Sequence, residues 1–172
     1  MVLALVATVS PEPQLVSKFL DEMVSLVDAR ADLTPRSRTK LEQLASHNRI
    51  AYLLDGQTLA GWALIEELLP GLSELGMAFI KPEYRGASAF HALCRLLSTQ
   101  DERLILATYD DALISYAKRV WHWQEKTLWQ VALMSGGRFI TKRLDRSSRS
   151  SIQQRMQTKK PRFVYSGGST HV

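Results

Sequence analysis

The stretch Lys81-Pro82-Glu83-Tyr84-Arg85-Gly86 follows an apolar run from Leu72 to Ile80 and precedes a segment of helical periodicity, Ala87 to about Thr99. A strand that stops at a proline, turns at an Arg-Gly pair and enters a helix leaves the first backbone N–H groups of that helix without intrahelical partners. Anions bind in that arrangement. The chemistry these residues can do is to cradle a diphosphate. An ordinary strand-turn-helix connection with a solvated Arg85 has the same spacing.

The order strand, Pro-x-Tyr-Arg-Gly, small residues, helix resembles the acetyl-CoA loop of the GCN5-related N-acetyltransferase (GNAT) superfamily. In that family the turn reads Arg/Gln-x-x-Gly-x-Gly/Ala. The resemblance implies that Arg85, Gly86, Ala87, Ser88, Ala89 and Phe90, with the helix behind them, hold the diphosphate of acetyl-CoA. The motif is half kept: the family's fourth and sixth positions, which let backbone approach phosphate without a Cβ in the way, are Ser88 and Phe90. Ser88 still offers a hydroxyl and an amide, whereas Phe90 is bulky. The resemblance further implies that backbone groups of Ile80 pair with the pantetheine amide like an added strand.

A second family feature lies in the helix after the next strand. Ala112-Leu-Ile-Ser-Tyr116 matches an Ala-x-x-x-Tyr-x-x-x-Gly-Phe pattern, with Val120-Trp121 replacing Gly-Phe and Tyr109 where an Asn is common. By that resemblance Tyr116 is the general acid that returns a proton to the CoA thiolate, since a phenol of pKa near 10 can protonate a sulfur of similar or lower basicity. A general base must deprotonate the substrate ammonium. In the family, strand five and the next helix splay from strand four and open a slot for the pantetheine arm; Glu66 and Glu74, on the two central strands, are the carboxylates able to face it. The plainer account makes each a solvated strand Glu, and Tyr116 a helix Tyr with its ring in the core. His47, His91, His122 and His171 are scattered and, with one Cys, make no zinc spacing, so no metal is implied.

These residues need a scaffold, and the rest of the sequence spells one out. Val2 to Val9 reads as a strand, and Ser10-Pro11-Glu12-Pro13 as a helix entry. Leu15, Phe19, Met23, Leu26 and Val27 form the apolar stripe of a first helix through about Ala31. Thr34-Pro35 opens a second, Arg36 to about Asn48. Arg49 to Leu54 is a strand, Asp55-Gly56 a hairpin turn and Thr58 to about Leu69 its partner. After the cradle helix come a strand, Arg103 to Thr108, and a helix capped by Asp110-Asp111 that runs from Ala112 to about Lys126. Gly136-Gly137 reads as a turn between strands at Leu128 to Met134 and Phe139 to Leu144, and Arg162 to Tyr165 as a last strand. The predicted fold is α/β in the α+β sense: a GNAT-like mixed, mostly antiparallel sheet flanked by helices, in a domain over 1–144, followed by a basic polar arm over 145–172.

Composition bounds the reading. With 172 residues, 45% of them hydrophobic, the chain can bury one full core of roughly 140 residues plus an extension. A single Cys94, in a helix among apolar neighbours, excludes an internal disulfide and fits a buried, inert thiol in a reducing compartment. No apolar stretch reaches the eighteen or so residues of a membrane span, and the N-terminal run lacks the basic start of a secretory signal, so a cytoplasmic protein is expected. The net charge of +5 is local: Arg138 to Arg162 holds nine Lys or Arg against one acid, Asp145. Such a segment binds acidic protein surfaces or nucleic acid, or simply stays solvated. Trp121, Trp123 and Trp129 crowd one region, as a core, an interface or a stacking surface.

The resemblance implies acyl transfer from acetyl-CoA to a primary amine, on a small molecule or a protein, by direct attack. A second reading is a GNAT-fold protein that has lost its cofactor and serves as a structural or interaction protein, for example a phage virion component docking through its basic C-terminal arm. A third is a transferase that modifies a base amine on nucleic acid held by the arm.

Overall fold

The structure, a computed structural model, describes residues 5–29, 33, 35–98, 103–144 and 161–167. Its strands form a seven-stranded mixed, mostly antiparallel sheet in the order β1-β2-β3-β4-β5-β7-β6, with helices against it. The chain divides into two compact units, residues 1–66 with 76–100 and residues 67–75 with 101–172. Among the described residues no helix is long and apolar enough to cross a membrane.

In the first unit, β1 (Val6–Thr8) pairs antiparallel with β2 (Ile50–Asp55), and β2 with β3 (Thr58–Leu69). α1 (Pro13–Asp28) starts on a proline whose missing N–H costs nothing at that position. It buries Phe19, Leu20, Met23 and Val27, the spacing of one helical face. α2 (Arg38–Ser46) is capped by the Ser37 side chain, which accepts from the Lys40 amide at 3.2 Å. The cap therefore lies inside the stretch expected to be helical, while Thr34 is outside the described residues. Both helices cover Ile50, Tyr52, Leu54, Leu59, Trp62, Leu64, Met77 and Phe79 in one apolar cluster. At Gly61 a Cβ would lie 2.6 Å from the Phe79 carbonyl, so the close approach of β3 to β4 (Leu72–Ile80) admits only glycine there.

In the second unit, the start of β4 pairs parallel with β5 (Leu104–Thr108), and β5 pairs antiparallel with β7 (Arg162–Tyr165). The expected last strand is thus present, and β6 (Gln124–Lys126) lies on its other side. Residues 145–160, the body of the expected basic arm, are outside the described residues.

Two sequence expectations fail here. α4 (Asp111–Val120) ends six residues earlier than expected, because His122 adopts φ 56° and the chain leaves the helix into β6. Residues 128–134 and 139–144 are not strands but lie in helices, α5 (Leu128–Met134) and α6 (Arg138–Leu144). A capping box starts α5: Thr127 Oγ1 accepts from the Gln130 amide at 3.3 Å, and the Gln130 side chain accepts from the Thr127 amide at 2.9 Å. Gly136 and Gly137, at φ 56° and 80°, end that helix rather than turn a hairpin. Val131, Phe139, Phe163, Ile105, Leu68 and Leu72 pack together beneath the pair.

Candidate functional site

The expected cradle lies in the first unit and is fixed from three directions. β4 cannot continue through Pro82, and the amide just past its end, Lys81 N–H, donates to the Ala60 carbonyl at 2.9 Å. Lys81 Nζ pairs with Glu22 of α1 at 2.6 Å. Pro82–Tyr84 make one 3-10 turn, and Tyr84 Oη donates to Asp55 Oδ2 at 3.2 Å in the β2–β3 hairpin. Desolvation, then the Asp55 carboxylate, raise the Tyr84 phenol above its ordinary value and keep its proton on that bond.

Arg85 is exposed, and its Nε donates to the Ile80 carbonyl at 3.3 Å, so two of the expected residues meet directly. α3 (Ala87–Ser98) follows, and its first backbone bond runs from Phe90 N–H to Gly86 O at 3.4 Å. The amides of Ala87, Ser88 and Ala89 therefore precede the helical ladder, whereas the Phe90 amide is engaged within it. Ser88 is exposed and Ala89, in the first turn of the helix, is buried. A Cβ on Gly86 would meet only Ser88 Oγ, at 3.9 Å, so the turn is open on that side. Farther along α3, burial pushes the Cys94 thiol up and leaves it a poor nucleophile.

The two candidate carboxylates are not solvated strand residues. Glu66 is buried in the first unit, where Arg36 Nε and Nη2 both donate to its Oε1, at 3.0 and 2.7 Å. Glu74 is buried in the second unit, where Lys142 Nζ reaches its Oε2 at 3.0 Å. A carboxylate taken out of water needs such a partner, because the cost of leaving it uncompensated is several kcal/mol, on the order of 3–5. Nothing in the local sequence announces Arg36 or Lys142: they lie 30 and 68 residues from the acids they hold.

Tyr116 sits half-buried in the middle of α4, whose N-terminus Asp110 caps by accepting from Ala112 and Leu113 amides at 2.8 and 3.3 Å. Its ring and that of Trp121 make a T-shaped pair, centroids 5.2 Å apart at 87°, and the tilted ring of Trp123 lies 5.3 Å from Trp121. The residue replacing the family's Phe thus fills an aromatic role against Tyr116. The third tryptophan, Trp129, stands exposed on α5.

No family model matches this sequence, and no curated protein does. Solved structures do match. N-acetylglutamate synthase from Neisseria gonorrhoeae, complexed with coenzyme A and N-acetyl-glutamate, aligns over 94% of this chain at 11% identity and TM-score 0.59. This chain spans only 34% of that one. A GNAT-family acetyltransferase from Bacillus cereus ATCC 10987 aligns over 96% of this chain and 99% of its own, at 10% identity and TM-score 0.59. Diaminobutyrate acetyltransferase from Paenibacillus lautus, in complex with its substrate L-2,4-diaminobutyric acid and coenzyme A, aligns over 72% of this chain and 80% of its own, at 11% identity and TM-score 0.56. With this strand order and these helices, the chain has the fold of the GCN5-related N-acetyltransferases.

Proposed function

We propose that this chain transfers an acetyl group from acetyl-CoA to a primary amine on a small molecule. The observation that carries the reading is the opening of α3: exposed Arg85, a Gly86 whose missing Cβ leaves open space, and the amides of Ala87, Ser88 and Ala89 ahead of the first helical bond. Those groups fit a diphosphate, which asks for a cation, close backbone approach and converging N–H donors. Ser88 adds a hydroxyl, and the Ile80 backbone offers the strand end along which pantetheine would lie. The cofactor would supply an acyl thioester. The chain's own groups would then move protons: Glu66 or Glu74 would accept one from the acceptor ammonium, Tyr116 Oη would give one to the departing sulfur as the new C–N bond replaces the C–S bond, and the second proton lost by the acceptor nitrogen would return Tyr116 to its phenol.

Isothermal titration with acetyl-CoA tests the reading. The wild type should bind, and Arg85→Ala should weaken binding by roughly 1–3 kcal/mol, the worth of a charge-assisted contact. Gly86→Val should weaken it further with little change in Tm, because the added carbons enter open space in the protein alone. Absence of binding at millimolar cofactor would overturn the proposal.

A further inference from the structure

α5 turns Val131 and Ala132 into the second unit's core and presents a different set to water: Trp129 is 77% exposed, Leu133 80% and Leu128 45%. Trp129 and Leu133 are four residues apart and share one helical face, and Leu128 flanks them. Large apolar side chains grouped on one face mark interaction surfaces far more often than bare protein exterior, and Trp is the type most enriched where a partner seats.

Charge says what kind of partner fits. α5 carries none, but the residues just before and after it in sequence include Arg119, Lys126 and Arg138, which pair with no carboxylate among the described residues, whereas Lys118 and Lys142 are held by Glu125 and Glu74. Glu125 is already held by Arg162 and Lys118. We infer that the exposed face of α5 docks an acidic amphipathic helix of another protein, whose apolar residues cover Trp129 and Leu133 and whose carboxylates pair with Arg119, Lys126 and Arg138 of the flanking segments. A second copy of this chain would bring like charge to like charge and fits less well. The inference is independent of acyl transfer.

A fluorescein-labelled synthetic helix with leucines at i, i+3, i+4 and i+7 and glutamates elsewhere, titrated with the full chain and followed by anisotropy, tests it. One control peptide replaces glutamate by lysine and another replaces leucine by serine. The glutamate-leucine peptide should bind at least about tenfold more tightly than either control, and Trp129→Ser and Leu133→Ser should each remove about tenfold or more. Circular dichroism should show both variants folded; if Trp129→Ser is not, Leu133→Ser alone decides. No binding, equal binding of the lysine peptide, or indifference to a folded Leu133→Ser overturns the inference. So does a dimer of the chain alone, seen by sedimentation velocity and dissolved by Leu133→Ser, which would make a second copy the occupant.

Discussion

The two units of this chain differ in the size of their apolar clusters and in their balance of charge. The first gathers fourteen buried side chains into one apolar cluster and balances nine basic residues with nine acidic ones. In the second, six buried side chains form the cluster beneath α5 and α6, and thirteen basic residues stand against eight acidic. Cross-element ion pairs occur in both: Arg36 with Glu66, Arg38 with Asp21 and Lys81 with Glu22 in the first unit, Arg162 with Glu125 and Asp111 and Lys142 with Glu74 in the second, where they stand beside a smaller apolar cluster. Apolar burial is indifferent to pH and strengthened by many salts, while ion pairs fade with acid and screening. The difference teaches where each kind of perturbation should act.

The harshest way to break the second unit is to delete everything from Arg146 onward. That removes β7, whose Phe163 and Val164 are buried and whose backbone bonds β5 on one side and β6 on the other. Amides of β5 and β6 should lose their hydrogen-exchange protection while those of β2 and β3 keep part of theirs. Phe163→Ala, which also deletes the ring packing on Phe139 at 5.6 Å, should cost about 3–5 kcal/mol in urea unfolding. Full protection in the truncated chain would show that β7 is dispensable.

Chemistry should divide in the same way. If Tyr116 supplies the proton, Tyr116→Phe should lower kcat about a hundredfold with KM for acetyl-CoA nearly unchanged, whereas Arg85→Ala in the first unit should act on affinity. A shift of KM alone in Tyr116→Phe would leave that residue a packing role against Trp121.

A smaller contrast appears at the two ends of the pH scale. In the first unit, burial, partly offset by Arg38, pushes the Tyr52 phenol up to about 12. The raised value means that the neutral phenol is favoured in the folded state, so its contribution is complete below about pH 10 and is lost as pH climbs through about 12. Measured against Tyr52→Phe, the wild type should lose roughly 2–3 kcal/mol over that window. At neutral pH the two should differ by under about 1 kcal/mol, because Tyr52 Oη has no hydrogen-bond partner among the described residues. A flat difference across the alkaline limb would mean that the phenol is hydrated.

The smallest effect belongs to the second unit at the acid end. Hydrogen bonds from Arg162, then Lys118, lower Glu125 to about 2. Its contribution is present above the ordinary value of 4.5 and is lost as pH falls through about 2. Being largely solvent-exposed, the group should be worth only about 0.5–1 kcal/mol, read as the difference between wild type and Glu125→Gln and erased by molar salt.

How far the sequence could be read depended on the range of the forces involved. Most elements through β5 were legible because each is announced locally: Pro13 at a helix start, Asp55-Gly56 at a hairpin, Pro82 at a strand end; α2 was legible as an element, but its start was read at Thr34-Pro35 rather than at its cap, Ser37. α5 misled because Leu128-Trp-Gln-Val-Ala-Leu-Met134 is dense in residues that suit a strand, while its helical signal was only Thr127 with Gln130 three positions on. At the passage from β4 into α3, the strand end and the helix start could be located from the chain alone, but the anchors Lys81–Glu22 and Tyr84–Asp55 could not, since their partners are set by tertiary packing. For Glu66 and Glu74 the residue type was visible and the environment was not. Burial and the distant cations Arg36 and Lys142 are facts of the folded state.

The position of β7 also dictates when the protein can finish folding. β5 and β7 pair across residues as far apart as Ile105 and Tyr165, and β6 has β7 as its neighbour in the sheet. A ribosome that has made everything through residue 160 has therefore produced a nascent chain in which β5 still lacks one neighbour and β6 lacks the strand it pairs with, and such long-range pairing is slow to form. A premature stop anywhere upstream of Arg162 should yield no shortened working protein but a species with open strand edges, prone to aggregation and handed to proteases.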